Sequence, residues 1–207
     1  MLVRWSTLIS RTLTTTRTSE EITIVIAWAL SIVASLILLP NARGVAGGGL
    51  AVLMIAIAVV DARRFIIPDE LTAAALALGL LNAAIQGTDM VADALAYAAL
   101  RGAALTFAFL SLRVVYRSVR GREGIGLGDV KLASVAGVWL YWSMVPIAIE
   151  IAALAALAVY AVRHFCSGRT VRSTTMLPFG LFFAPAIWVG WLLQSTLFPI
   201  PSTPSFQ

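Results

Sequence analysis

The chain has 207 residues, of which 60% are hydrophobic and 12% charged, with a formal net charge of +5. Soluble domains carry about 25% charged residues, so composition excludes an ordinary soluble fold and points to a polytopic membrane protein. The arginines lie between apolar runs, not in one basic stripe, so membrane topology accounts for the charge and no nucleic-acid partner is expected.

Residues 1–19 carry Arg4, Arg11 and Arg17 among Ser and Thr and read as a basic N-terminal segment. The first apolar run is Ile22 to Leu39, with Glu20 and Glu21 at its start, where the helix dipole favours negative charge. Gly44 to Gly49 read as a glycine-rich turn into a second run that ends at Val59-Val60 and Asp61. Pro68 restricts Ile67 and blocks simple continuation of that helix, and Asp69 and Glu70 fall in the first turn of the next. The third run is Leu71 to Ile85, and the fourth runs from about Ala92 to Val115 with Arg101 inside it. A basic loop, Arg117 to Arg122, precedes Gly124-Ile125-Gly126-Leu127-Gly128-Asp129-Val130-Lys131-Leu132.

The stretch from Leu132 to Val162 is too long for one crossing, which takes about 20 residues. Basic residues flank it on both sides, at 117–122 and 163–172, so it is expected to cross twice and turn near Pro146. The last run is Met176 to Leu197, and the Pro/Ser tail, 198–207, reads as disordered. The fold class is therefore all-α: a polytopic transmembrane helix bundle of about seven spans, 20–197, with no internal repeat. With a cytoplasmic N-terminus, all Lys and Arg residues except Arg43 and Arg101 fall on or near the inner side. Asp61 and Asp129 then lie at the same depth, on the cytoplasmic side.

Two carboxylates at one depth suggest an aspartic protease dyad. One is ionised to take a proton from water and one is protonated to polarise the scissile carbonyl. Such a pair titrates with separated pKa values because both charges cannot form easily in contact. Gly126 and Gly128 are expected to give the substrate backbone room beside Asp129 and to allow positive φ. Lys131 is expected to face the dyad and favour its charged form; the alternative is an anchor snorkelling to the interface. Taken singly, Asp61 also reads as a helix end beside Arg63 and Arg64, and Asp129 as an N-cap. The glycines alone would be a turn, and a dinucleotide site would need a βαβ context that is absent. One cysteine, Cys166, excludes an internal disulfide and a Cys-rich zinc site, and Cys166 with His164 makes a poor metal site. No metal and no cofactor are expected.

Gly126-Leu127-Gly128-Asp129 matches the GxGD motif of membrane aspartic proteases. With Lys131-Leu132, with Asp61 ahead of Ile67-Pro68-Asp69, and with Leu177-Pro178-Phe179-Gly180, the chain resembles the prepilin peptidases over roughly residues 45 to 197. The resemblance implies catalytic aspartates at Asp61 and Asp129. It also implies removal of short basic leaders from type IV prepilin-like proteins at the cytoplasmic face of the inner membrane. The implied partners are a prepilin with an apolar N-terminal helix, and membrane lipid. Larger members carry a Cys-x-x-Cys insert linked to N-methylation. This chain resembles the short, peptidase-only members, so neither methyl transfer nor zinc dependence is expected. Some relatives have a second Asp where Arg63 stands. The rival readings are a GxGD protease of the presenilin or signal-peptide-peptidase kind, for which Pro185-Ala186-Ile187 is a partial match, and a small ion- or proton-coupled transporter.

Overall fold

The computed structural model describes residues 22–39, 41–87, 90–121, 124–167 and 178–198. Among them the chain forms seven helices and no strand: α1 (Ile22–Leu38), α2 (Ala42–Arg64), α3 (Asp69–Gln86), α4 (Val91–Arg120), α5 (Leu127–Trp139), α6 (Met144–Ser167) and α7 (Gly180–Leu197). The expected all-α membrane bundle is what forms. Four helices, α2, α4, α6 and α7, are long and apolar enough to cross a membrane by length and composition, and α1 is a shorter apolar helix. The segment 1–19, the basic residues Arg169 and Arg172, the tail beyond Phe198 and the side chains of His164 and Cys166 lie outside what is described.

Several boundaries differ from the sequence reading for physical reasons. Gly44 to Gly49 are not a turn but part of α2, which starts one residue after its N-cap, Asn41. The Asn41 side chain accepts the Arg43 amide at 3.0 Å. Gly44, Gly47 and Gly49 serve close approach and Gly48 does not: a Cβ on Gly47 would fall 1.9 Å from the Trp191 ring of α7. α4 runs through most of the expected basic loop and ends at Gly121, whose φ is 66. The turn expected near Pro146 comes earlier, at 140–143, and Pro146 lies in the first turn of α6, where its missing N–H leaves no bond unmade.

α5 is the centre of the bundle. It packs on α3, α4 and α7, and Val130, Leu132, Ala133, Val135, Ala136, Val138 and Trp139 are all buried. A helix apolar all round must be enclosed, and here small residues admit the neighbours. A Cβ on Gly137 would lie 2.5 Å from the Arg101 carbonyl oxygen of α4, so the two backbones touch. Large apolar side chains on the outer helices, such as Leu30, Phe107 and Leu157, remain exposed, as lipid-facing surfaces are.

Several polar groups inside are paired, as a low-dielectric interior favours, while the buried indole N–H of Trp28 has no partner among the described residues. The Trp139 indole donates to the Ala75 carbonyl at 2.9 Å. The buried Gln194 of α7 donates to the Trp139 carbonyl at 2.8 Å and accepts the Tyr141 amide at 2.9 Å. It thereby satisfies the backbone freed where α5 stops. The Trp188 indole donates to Ser35 Oγ at 3.2 Å and joins α7 to α1.

Two glycine substitutions should separate these roles. Gly48 has no neighbour nearer than 3.7 Å to an added Cβ, so Gly48→Ala should be neutral or stabilise by up to about 1 kcal/mol through helix propensity. At Gly137 the methyl group would meet immobile backbone, and Gly137→Ala should destabilise by about 1–3 kcal/mol. Unfolding midpoints in detergent measure both, and equal shifts for the two variants would refute the backbone contact between α4 and α5.

Candidate active site

The C-terminus of α2 and the N-termini of α5 and α7 converge on one cavity of about 550 Å³. Asp61, Ile67, Gly126, Gly128, Asp129 and Phe179 are among its walls. Asp61, in the last turn of α2, is only 5% exposed. Its Oδ2 accepts the Leu181 amide at 2.9 Å. Leu181 is the second residue of α7, so the carboxylate lies at the positive end of that helix. Gly180 allows this approach, since a Cβ there would be 2.7 Å from the same oxygen.

α2 ends because Phe65 takes a left-handed conformation, φ 54, with its amide donating to the Asp61 carbonyl at 2.9 Å. Arg63 and Arg64 in the last turn suit the negative end of the helix dipole. The chain then turns inward, and Ile67 is buried. Pro68, extended at φ -66, is the N-cap of α3 and disfavours a helical Ile67 before it. The Thr72 hydroxyl donates to the Pro68 carbonyl at 2.9 Å. Pro68 therefore shapes the α2–α3 turn and is not among the residues that line the cavity.

Ile67 is the wedge between the other two helix ends. Its Cδ1 lies 2.9 Å from where a Cβ would stand on Gly128, and equally 2.9 Å from one on Gly180. The room that Gly128 leaves is thus filled by Ile67, and at Gly126 the nearest atom is Asp129 Oδ2, 3.2 Å from an added Cβ. Neither glycine has positive φ; among the described residues only Phe65 and Gly121 do. The left-handed turns expected at these glycines do not form; Gly128 packs against Ile67, and both glycines line the cavity.

Asp129 stands in the first turn of α5, a thirteen-residue helix outside the four candidate spans. Its Oδ2 accepts the Gly126 amide at 3.2 Å, so it caps its own helix from inside the first turn and not from the N-cap position. Burial pushes its carboxyl up to about 6; the Gly126 N–H pulls against this, and the neighbouring Asp61 carboxylate pushes the same way as burial. The glycine loop is anchored to α4 by Arg113, whose Nη1 donates to the Ile125 carbonyl at 2.7 Å.

Lys131 lines the same cavity, but its Nζ pairs with Asp69 at the start of α3 and not with the two site carboxylates. Residues two apart on a helix do not face each other, and the Lys131 ammonium lies at the cavity rim toward Asp69. The pair is exposed, with side chains 43% and 75% accessible, and joins α5 to α3 weakly. Sequence reasoning did not place Ile67, Gly180 or Leu181 in the site. The Pro178-Phe179-Gly180 element at the head of an apolar run was the one available signal, and nothing in it indicated which carboxylate it would meet. Among the described residues no cluster of three or more His, Cys, Asp or Glu side chains stands ready for a metal ion.

Gly180→Ala tests the packing around Asp61. The added methyl group displaces the carboxylate, and a shift of ~1 Å in a reacting group costs on the order of 100-fold in rate. The turnover of a reaction run on these carboxylates should fall by that order while helix content, read by circular dichroism, stays unchanged. Full turnover would show that the Leu181 contact is dispensable.

The type IV leader peptidase family matches residues 48–162. A leader peptidase of Escherichia coli, HopD, is 36% identical over 132 residues, covering 63% of this chain and 82% of that protein. The prepilin leader peptidase/N-methyltransferase of Burkholderia pseudomallei is 36% identical over 146 residues, 70% of this chain and 45% of the relative. Its namesake in Pseudomonas aeruginosa is 33% identical over 144 residues, 67% of this chain and 46% of the relative. The chain thus spans about half the length of these two larger relatives. No solved structure matches it. With the family match covering more than half of the chain and both carboxylates inside the matched residues, this protein belongs to the type IV leader peptidase family.

Proposed function

We propose that this protein is a membrane aspartic endopeptidase that removes the short basic leader from type IV prepilin-like proteins. The observation that carries the reading is the convergence of Asp61 and Asp129, from two helices, on one cavity in a chain of this family. Asp61 keeps one oxygen on the Leu181 amide and offers the other to a water molecule. That water adds to the scissile carbonyl carbon as its proton passes to Asp61. The carbonyl oxygen takes the proton of Asp129, which holds it to higher pH than an ordinary carboxyl. Collapse of the gem-diol breaks the C–N bond. The amine leaves with the proton from Asp61, and Asp129 regains one from the diol hydroxyl.

An apolar groove of about 710 Å³ between α1, α2 and α7 runs up to Ala62 and Leu181, next to Asp61. It supports a substrate whose own apolar helix lies in the bilayer against the enzyme. The excess of basic residues at the carboxylate end supports an inner-membrane protein with this site facing the cytoplasm.

Co-expression with prepilins, followed by gel mobility and N-terminal sequencing of the pilin, tests the chemistry. Asp61→Asn and Asp129→Asn should each lower cleavage by about 10²–10⁴-fold, the weight of one general acid or base, with the protein still in the membrane. Full cleavage by both would remove the dyad. The active state holds one proton between the two carboxylates, so the rate should fall as pH rises through a limb near or above about 6. The same carboxyl has a folded pKa above its usual 3.8. Its charge therefore costs stability above about 6, a cost that vanishes as pH falls below the unfolded value. Asp129→Asn should accordingly raise the melting temperature at pH ~8 and leave it unchanged at pH ~4.

Reporter fusions at Arg120 and Gln207 test the orientation. The Arg120 fusion is expected inside and the Gln207 fusion outside; both on one side would overturn the arrangement.

A further inference from the structure

A second polar cavity, of about 280 Å³, lies at the other end of the bundle. Arg43 of α2 lines it, eighteen residues before Asp61 along one helix, which places it roughly 27 Å away at 1.5 Å per residue. Arg101 of α4 faces the same space, with Asn82, Gln86, Tyr97 and Ser195 around it. No carboxylate is among the described residues that line it.

Two half-buried guanidinium groups converge here from different helices. Arg101 is held by its Nε, which donates to the Gly137 carbonyl at 3.1 Å, and by the Tyr141 ring, whose centroid is 5.9 Å from its guanidinium carbon. Its terminal nitrogens have no hydrogen-bond partner among the described residues, and the Arg43 side chain has none either. Asn82 is 7% exposed, lines the cavity and has no side-chain hydrogen bond among the described residues. Partly buried cations without a counter-ion are costly, and the Asn82 amide, on the cavity wall, can offer its N–H₂ to a ligand there. Guanidinium forks and an amide N–H₂ are donors suited to the oxygens of a phosphate. We propose that this cavity binds a phosphate-bearing anion, with the headgroup of an anionic phospholipid and free phosphate as its two possible sources. The site is remote from the carboxylates and stands whether or not the chain is a peptidase.

Native mass spectrometry and thermal melting of the detergent-purified chain test this with three probes: phosphatidylglycerol, phosphatidylcholine and inorganic phosphate. Wild type should retain phosphatidylglycerol over phosphatidylcholine and melt higher with it. Arg43→Gln and Asn82→Leu, with helix content checked by circular dichroism, should each weaken retention by about tenfold, the size expected for one charge-assisted hydrogen bond. Arg120→Gln, at the other end of α4, should not. The same mutational pattern with inorganic phosphate alone would assign a free anion as the source. Equal retention by wild type and Arg43→Gln, or no response to either anionic probe, overturns the site. So does a response that appears only in Asp89→Asn, the nearest carboxylate to Gly87 in sequence, because the chain would then supply its own anion.

Discussion

The hydrogen bond from the Leu181 amide to Asp61 is the contact on which the site depends. It joins residues 120 positions apart and sets how the start of α7 meets the end of α2. A carboxylate in an apolar bundle must be given donors, because an unpaired buried charge is far costlier than a paired one. The free N–H groups of a helix start provide them without a second charged side chain. That solution demands a glycine at 180, where a methyl group would collide with the carboxylate. It also brings α7 against Ile67, whose terminal methyl touches the glycines of both α5 and α7. The glycines are thus shaped by one isoleucine and two carboxylates.

Enclosure of α5 is the second constraint, and it explains where the chain may stop. Beyond its first turns, where Lys131 reaches solvent, the helix is enclosed, so the backbone groups at its ends must be satisfied by neighbours. At its start, Gly126 and Asp129 close the first turn. At its end, Gln194 takes the place of the next turn by bonding to Trp139 and Tyr141. One buried amide on α7 therefore permits a break in the middle of the apolar stretch from Leu132 to Val162. α7 serves both ends of α5, through Pro178-Phe179 at the carboxylate cavity and through Gln194 at the arginine cavity.

The two cavities divide the charges by sign. Asp61 and Asp129 hold negative charge at one end, where Asp129 keeps its proton unusually well. Arg43 and Arg101 gather positive charge at the other. Lys131, close to Asp129 in sequence, is drawn off by Asp69. Among the described residues the carboxylates are left with backbone amides as their hydrogen-bond partners, and the charge of Asp61 is felt at Asp129.

The all-helical class, the number of helices and the two carboxylates were legible in the sequence. Each rests on local chemistry: apolar runs of helical length, the turn chemistry of Pro68 and the glycines before Asp129, and the cost of acids next to lipid. The role of the glycines at 44–49 was not legible. A glycine run reads alike whether it makes a turn or receives an indole, and only the approach of Trp191 decides. The pairing of Lys131 with Asp69 was not legible for a related reason, since two residues along a chain are near in sequence but diverge around a helix. Ile67, Gly180 and Leu181 belong to the site only because α7 folds back beside α2. Runs, caps and charges act over a few residues, so the sequence by itself determined the elements and the candidate acids. Which helix end faces which carboxylate depends on packing between segments over a hundred residues apart, and only the tertiary structure decided it.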